Sequence, residues 1–159
     1  MIVVSNTSPL TNLAAIGQFH LLQDLYHELH IPEGVWNELN AGGIYWPGRA
    51  DVDSAPWIHR HMVRNPFAVQ ALRENLDAGE SESIVLASEL QADLILLDER
   101  EGRHIAQRMG FSVIGTVGAL TETPYARTGR SRVCPSTMAR RAALGSLRTY
   151  ANDERTREV

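Results

Sequence analysis

The sequence predicts one α/β domain in which a central, mainly parallel sheet is flanked by helices, a three-layer arrangement of the Rossmann type. Short apolar runs suited to strands alternate with segments whose apolar residues recur at helical spacing, and this alternation is typical of parallel sheets. The run Leu94–Leu97 is continuously apolar, as expected of a strand that is buried on both faces. A length of 159 residues suits one compact domain.

The first half of the chain contains three strand candidates, each followed by a helical pattern. Ile2–Val4 is an apolar run, and the polar residues after it lead to Pro9, which favours the first turn of a helix. Gly17 is suited to end that helix. The other elements predicted here are a helix over 19–26, a strand at 30–31, a helix opened by Pro32, an irregular loop over 41–56, a strand over 57–63 and a helix opened by Pro66.

The second half repeats the alternation of helix and strand. Leu76–Gly79 interrupts the chain before a helix that runs from Glu80 to about Leu90. The strand Leu94–Leu97 follows it. The remaining elements predicted from the pattern are a helix over 101–109, a strand at 113–114 and a helix that starts within 117–120.

The charge is distributed unevenly, and all 15 basic residues are arginine. Residues 1–123 hold 7 arginines and 16 acidic residues, a net charge of −9, whereas residues 124–159 hold 8 arginines and 3 acidic residues, a net charge of +5. An acidic body is a poor general surface for nucleic acid, because phosphate contacts need cations. Acidic side chains gathered in a pocket, however, are the ligands that hard divalent cations require.

This change in composition divides the chain into a domain over 1–123 and an atypical arginine-rich tail over 124–159. Apolar periodicity is weak in the tail, which we expect to be poorly ordered or irregularly packed. Three interpretations stay open: a loosely packed terminal helix, a disordered basic arm, or an out-of-frame reading of a lost C-terminus.

The sequence predicts a cytoplasmic protein without a membrane segment. No apolar run approaches the roughly 20 residues that cross a bilayer, and the chain begins with a strand-like segment instead of a basic leader. The single cysteine, Cys134, excludes an internal disulfide and fits a reducing compartment.

Two polar residues follow predicted strands at the point where each strand ends. Asn6 comes after Ile2–Val4, and Asp98 comes directly after Leu94–Leu97. Ligands of open parallel sheets bind beyond the carboxyl ends of the strands, so both residues are candidate ligands. Asp98 also suits a cap of the helix that starts near Glu101.

Three glutamates on predicted helices complete the set of candidates. Glu80 lies at the start of a helix, where the helix dipole alone favours a negative charge. Glu82 is two residues further on and points to a different face, so one of the two is expected to dominate a shared site. Glu38, on the helix after Pro32, taken alone is typical of a solvated surface acid.

Four segments occur in order along the chain: Val3–Leu10, Ile31–Leu39, Leu76–Glu82 and Leu96–Glu99. Together with Gly102–Gly118 they resemble the PIN-domain family, and most closely its compact prokaryotic subgroup, the VapC-type toxins of toxin–antitoxin pairs. The resemblance covers roughly residues 1–122, so we expect a PIN-like domain over 1–123.

The resemblance implies a metal-dependent endoribonuclease. In that family, four acidic positions hold one or two Mg²⁺ or Mn²⁺ ions that hydrolyse RNA, and a metal-bound water is a usable nucleophile near neutral pH. Carried over to this chain, those positions fall on Asn6, Glu38, Glu80 (or Glu82) and Asp98. Secondary candidates are Thr7 and Ser8, which either orient ligands and phosphate or cap the following helix, and Arg100 and Arg103, which either neutralise substrate phosphates or only solvate a face.

The chain departs from the family at the first acidic position, where Asn6 replaces an aspartate. An amide oxygen can ligate a metal, but it brings no charge and accepts no proton. The alternative function is therefore a catalytically inactive PIN domain that binds RNA or an antitoxin. The resemblance also implies an RNA substrate, a cognate antitoxin and a homodimer, for which Trp46 and Trp57 are candidate exposed contacts.

Two further features of the sequence bear on function. A receiver-like or nucleotide-binding α/β domain is disfavoured, because no phosphate-binding glycine loop follows the first strand and no lysine is present. His59 and His61 are two residues apart on a predicted strand, where they share one face or lie partly in solvent.

Overall fold

The computed structural model describes residues 1–121, which form a five-stranded sheet in which all neighbouring strands are parallel. The order of strands is β3-β2-β1-β4-β5. Their bounds are β1 (Val3–Ser5), β2 (Leu29–Pro32), β3 (Ile58–His61), β4 (Leu94–Leu96) and β5 (Val113–Ile114). The predicted α/β fold with a parallel sheet is confirmed, and every predicted strand is present. The tail over 124–159 lies outside the described residues.

Eight helices within residues 1–121 connect and cover the strands. They are α1 (Thr7–Ala15), α2 (His20–Tyr26), α3 (Glu33–Ala41), α4 (Arg49–Asp53), α5 (Pro66–Leu72), α6 (Ala78–Leu90), α7 (Arg100–Arg108) and α8 (Thr116–Thr121).

The prediction of an irregular loop over 41–56 is wrong for α4. This helix has five residues and starts after Gly48, whose φ of 89° lies in the left-handed region that favours glycine. Within it, Val52 alone is buried, so no helical repeat of apolar residues marks it in the sequence.

The sheet reverses its direction of growth between β1 and β4. From β1 the chain moves outward through β2 to the edge strand β3, and it then returns to place β4 on the other side of β1. Val4 pairs with Ile95, and Ser5 pairs with Leu96. Such a switch point opens a crevice beyond the carboxyl ends of the two strands, where ligands of open α/β sheets bind.

Alternate residues of the central strands supply two cores, one on each face of the sheet, because successive side chains of a strand point to opposite faces. Val4 and Ile95 belong to one core, whereas Val3, Leu94 and Leu96 belong to the other. All five are nearly or fully buried. This explains why β4 is a continuous apolar run in the sequence.

The two tryptophans proposed as exposed contacts differ in their surroundings. Trp57 is half-buried against the second core, and its ring centroid lies 5.6 Å from that of Phe19. Trp46 is 45% exposed, beside the more exposed Ile44 and Tyr45. Trp46 is therefore exposed, as predicted, whereas Trp57 is only partly exposed; a partner contact at either residue stays a prediction. In residues 1–121, no helix combines the length and the apolar character needed to cross a membrane.

Candidate active site

Asn6 is the first residue after β1 and lies at the switch point of the sheet. Its backbone N–H donates to the carbonyl of Leu96 on β4, with 3.0 Å between the atoms. Its side-chain Oδ1 accepts from the N–H of Thr7 at 2.6 Å, so Asn6 is the N-cap of α1. The side chain is 1% exposed. Asn6 thus has a structural role that its position in the sequence did not reveal.

Asp98 follows β4, across the switch point from Asn6, and it binds the start of α8. Its Oδ1 accepts from the backbone N–H of Thr116 at 2.6 Å, and its Oδ2 accepts from the Thr116 hydroxyl and from Asn12 Nδ2. The alternative that Asp98 caps the following helix is wrong, because the N-cap of α7 is Glu99. Asp98 instead fixes α8 against the sheet edge.

Glu38 lies on α3 and connects three helices. Its Oε1 accepts from the backbone N–H of Gly79 at 2.8 Å, at the start of α6. Its Oε2 accepts from the hydroxyl of Thr7, at the start of α1. The side chain is half-buried, so the interpretation as a freely solvated surface acid does not hold.

Glu80 is the most buried of the candidate acids, with 4% of the residue exposed. It forms a capping box at the start of α6, in which Asp77 Oδ1 accepts from the N–H of Glu80 at 2.7 Å and Glu80 Oε2 accepts from the N–H of Asp77. Its other oxygen, Oε1, has no hydrogen-bond partner within residues 1–121. An unsatisfied oxygen on a buried carboxyl group is costly and calls for a further partner.

The electrostatic environment of Glu80 disfavours its ionised form. The pKa of Glu80 is raised to about 7, first by burial and then by the negative charges of Asp77, Glu99 and Glu38, against the effect of the hydrogen bond from Asp77. These three acids therefore lie close enough to Glu80 to repel its charge. A bound cation would reverse that effect.

Glu82 has a different environment from Glu80. Its Oε2 accepts from the backbone N–H of Gly34, at the start of α3, with 2.7 Å between the atoms. Its carboxylate thus joins α6 to α3, on a face of α6 that differs from that of the capping box. Glu82 is also only half-buried, whereas Glu80 is buried.

All four of these carboxylates rest against a glycine. A Cβ atom added to the glycine would lie 2.6–2.9 Å from a carboxylate oxygen, closer than real Cβ contacts allow. Absence of a side chain on each glycine therefore makes room for the acid. The pairs are Glu38 with Gly79, Glu80 with Gly102, Glu82 with Gly34, and Asp98 with Gly115.

The secondary candidates divide into two groups by position. Thr7 contacts Glu38 directly, and Arg103 Nη1 lies 3.4 Å from the Cβ position of Gly115, beside which Asp98 Oδ1 also lies. Ser8 is half-buried in the first turn of α1, and Arg100 is exposed at the start of α7. Thr7 and Arg103 are thus the two that the structure brings next to a candidate acid.

Three residues of this region were not singled out in the sequence. Thr116 and Asn12 donate hydrogen bonds to Asp98. No local sequence pattern indicates these contacts, because the partners are distant in the sequence; Asn12 lies 86 residues from Asp98. The role of Asp77 as a helix cap, in contrast, could have been predicted from the sequence. An acid three residues before a glutamate at a predicted helix start is typical of a capping box.

The candidate donors match a divalent cation in chemical type but not in arrangement. All the candidate groups are oxygen donors, and the unsatisfied Oε1 of Glu80 among like charges fits a hard ion such as Mg²⁺ or Mn²⁺. As placed, however, no group of three or more His, Cys, Asp or Glu side chains in residues 1–121 is arranged to hold a metal ion. Glu38 and Asp98 are engaged by backbone N–H groups instead.

Fold and site together define an α/β domain with acidic residues around the switch point of a parallel sheet. Residues 2–128 match a family, DUF3368, that is described as a PIN domain, and the chain belongs to this family. PIN domains are generally nucleases that use divalent metal ions. No curated protein matches the chain.

Proposed function

We propose that the protein is a metal-dependent endoribonuclease of the toxin type, weakened by the asparagine at its first acidic position. The main support is Glu80, a buried carboxyl group with an unsatisfied oxygen, with Asp77, Glu99 and Glu38 close enough to repel its charge. Membership in a family of nucleases is the second support.

In this proposal Glu80, Glu38, Asp98 and the amide oxygen of Asn6 hold Mg²⁺ or Mn²⁺. The ion supplies Lewis acidity and a water activated near neutral pH for attack on a phosphodiester bond. Glu80 is preferred to Glu82 as a ligand. One oxygen of each acid accepts from a backbone N–H, but the second oxygen of Glu80 is buried without a hydrogen-bond partner in residues 1–121.

The protein's own residues contribute to binding and orientation of the substrate. Thr7 holds Glu38, and with Ser8 it offers hydroxyl groups at the N-terminal end of α1, where N–H groups and the helix dipole favour a phosphate. Arg103, beside Gly115, neutralises an RNA phosphate, and Arg100 contributes from solvent. An arginine here offsets the acidic character of the domain, which otherwise repels RNA.

Compared with an aspartate, Asn6 lowers the affinity for the metal ion and the rate of RNA cleavage, because the amide brings no negative charge. A second candidate function follows from the same residue. Since Asn6 Oδ1 is engaged by the N–H of Thr7, the protein also suits a catalytically inactive PIN domain that binds RNA or an antitoxin.

The partners that fit the proposal are a second copy of the chain and a cognate antitoxin. An antitoxin that inserts a basic side chain among Glu38, Glu80 and Asp98 would satisfy the same unpaired charge as the metal ion. The exposed apolar loop of Ile44, Tyr45 and Trp46 supplies area for either contact.

The deciding experiment is cleavage of labelled RNA in Mn²⁺ by the wild-type chain, by Asn6→Asp and by Asn6→Asp with Glu80→Gln. Cleavage that appears or increases with Asn6→Asp and disappears with Glu80→Gln supports the nuclease. RNA or partner binding without cleavage by any of the three supports the inactive PIN domain instead.

A further inference from the structure

Three of the six histidines lie together on the outer strands of the sheet, apart from the carboxylates. His30 on β2 pairs in register with His59 on β3, and His61 lies two residues further along the same face. The ring of His30 lies 5.3 Å from that of His59 and 5.0 Å from that of His61, measured between centroids. All three are half-buried.

The closest contact in this group joins two ring nitrogens. His30 Nδ1 and His61 Nε2 are 2.9 Å apart. Zinc binds imidazole at about 2.0–2.1 Å with tetrahedral angles, which places two ligand nitrogens roughly 3.3 Å apart. Opening this contact by a few tenths of an ångström therefore makes a chelating pair from side chains that already face each other.

We propose that His30 and His61 bind a transition-metal ion of the Zn²⁺, Ni²⁺ or Cu²⁺ class, with His59 as a third ligand. Imidazole nitrogen suits these ions, whereas the oxygen donors around Glu80 suit Mg²⁺ and Mn²⁺. The described residues contain no trio already arranged around one point, so His59 must turn toward the pair. Its side chain is 43% exposed, and its Nε2 faces Glu28 Oε1 at 3.9 Å, which leaves it room to turn.

The protonation of the pair supports metal binding at neutral pH. The pKa of His30 is lowered by burial and then by the charges of His61 and His59, with Glu28 acting in the opposite direction. The pKa of His61 is lowered by burial and by His59. Both shifts favour the neutral rings, which are the forms that bind a metal ion. When the ion takes the two facing nitrogens, the shared proton moves to an outer ring nitrogen and no net proton is released.

An ion held here would connect the edge strand to the rest of the fold. Within residues 1–121, β3 is paired on one side only, with β2, and β2 runs directly into α3, which carries Glu38. A metal bridge between His30 and His61 therefore adds a cross-strand link at the outer edge of the sheet.

The test is a titration of the full-length, untagged chain with Zn²⁺ and then Ni²⁺ at pH 7.5, in millimolar Mg²⁺ to occupy the carboxylates. Calorimetry is expected to show one equivalent bound, at least tenfold weaker binding in His30→Gln and His61→Gln, and a smaller loss in His59→Gln. The matched control His20→Gln, on the exposed start of α2, should bind as the wild type does. Unchanged Zn²⁺ affinity in both His30→Gln and His61→Gln would overturn the proposal, as would loss of binding in Glu80→Gln alone.

A second measurement on the wild-type chain avoids dependence on the folding of the variants. Diethyl pyrocarbonate modifies accessible imidazoles, and mass spectrometry locates the modified residues. Zn²⁺ should protect His30 and His61 while His20 and His104 react at the same rate with and without the ion. Equal modification of all four histidines in both conditions would also overturn the proposal.

Discussion

The carboxylate of Glu38 on α3 accepts a hydrogen bond from the backbone N–H of Gly79 on α6, at 2.8 Å. The contact has a counterpart in the opposite direction, because Glu82 on α6 accepts from Gly34 on α3 at 2.7 Å. The two helices are therefore joined twice, each time by an acid of one helix and the first turn of the other. The acids of this region contribute to stability as well as to the proposed chemistry. The folding and the activity of a variant must therefore be measured separately.

The first prediction concerns Asn6→Asp. Aspartate caps a helix as well as asparagine does and adds a favourable charge near its N-terminus, so the fold should be retained. A restored carboxylate should strengthen Mg²⁺ binding by about 1–3 kcal/mol, on the order of tenfold to a hundredfold. A Mg²⁺ titration of RNA cleavage checks this, with Gln107→Glu on the exposed face of α7 as the control for added charge. Identical titration curves for the wild type and Asn6→Asp would show that Asn6 is no ligand.

The second prediction concerns the stability of the metal-free protein against pH. Because the folded-state pKa of Glu80 is raised to about 7, its protonated form stabilises the fold at low pH, and this contribution is lost as the pH rises through 7. Glu80→Gln stays neutral. Its free energy of unfolding relative to the wild type should therefore increase between pH 5 and pH 8, by about 1–2 kcal/mol after allowing for relaxation around the charge.

Urea denaturation in EDTA at the two pH values measures this difference, and Glu74→Gln, at an exposed position, is the control. Millimolar Mg²⁺ at pH 8 should stabilise the wild type more than Glu80→Gln, since a ligand of the folded state stabilises it. A difference between the proteins that is the same at pH 5 and pH 8 would contradict the assignment of a raised pKa.

The third prediction separates Glu82 from Glu80. Glu82→Ala removes a charge-assisted hydrogen bond to Gly34 and should lower the free energy of unfolding by about 1–3 kcal/mol. RNA cleavage per folded molecule, measured in the Asn6→Asp background, should change less than threefold, whereas Glu80→Gln in that background should abolish it. The control for stability is Glu101→Ala, at an exposed position of α7. Loss of cleavage in Glu82→Ala with full stability would assign the ligand to Glu82.

The fourth prediction tests the glycine beside Glu80. In Gly102→Ala the new methyl group would lie 2.8 Å from Glu80 Oε1, so the carboxyl group must move. Alanine is about 1 kcal/mol more favourable than glycine within a helix, so the melting temperature of the variant should not fall below that of the wild type. We expect metal-dependent cleavage in the Asn6→Asp background to fall at least tenfold, against no change for Gln107→Ala on the same helix. Full activity of Gly102→Ala would place the reacting site elsewhere.

The fold was predictable because its signals are local. The apolar run of β4, Pro66 at the start of α5 and the helix after Asp77 are each fixed by a few consecutive residues, and the structure agrees to within two residues. α4 was missed because a five-residue helix with one buried side chain leaves no periodic pattern.

The partners of the acids were not predictable, because they are distant in the sequence. Glu38 and Gly79 are 41 residues apart, and Asp98 and Thr116 are 18 apart. Sequence spacing placed Asn6 and Asp98 at one edge of the sheet, but it did not show that both also hold a helix start. Only the three-dimensional arrangement distinguishes Glu80, whose Oε1 is buried without a partner in residues 1–121, from the half-buried Glu82.

The position of β1 at the switch point determines when the site is assembled during synthesis. β1 is made first, yet its partner β4 follows about 90 residues later, and Asp98 is anchored only once Thr116 exists. Pairing over such a distance is a late event in folding. A chain still attached to the ribosome thus lacks a complete set of acids until most of the domain has emerged.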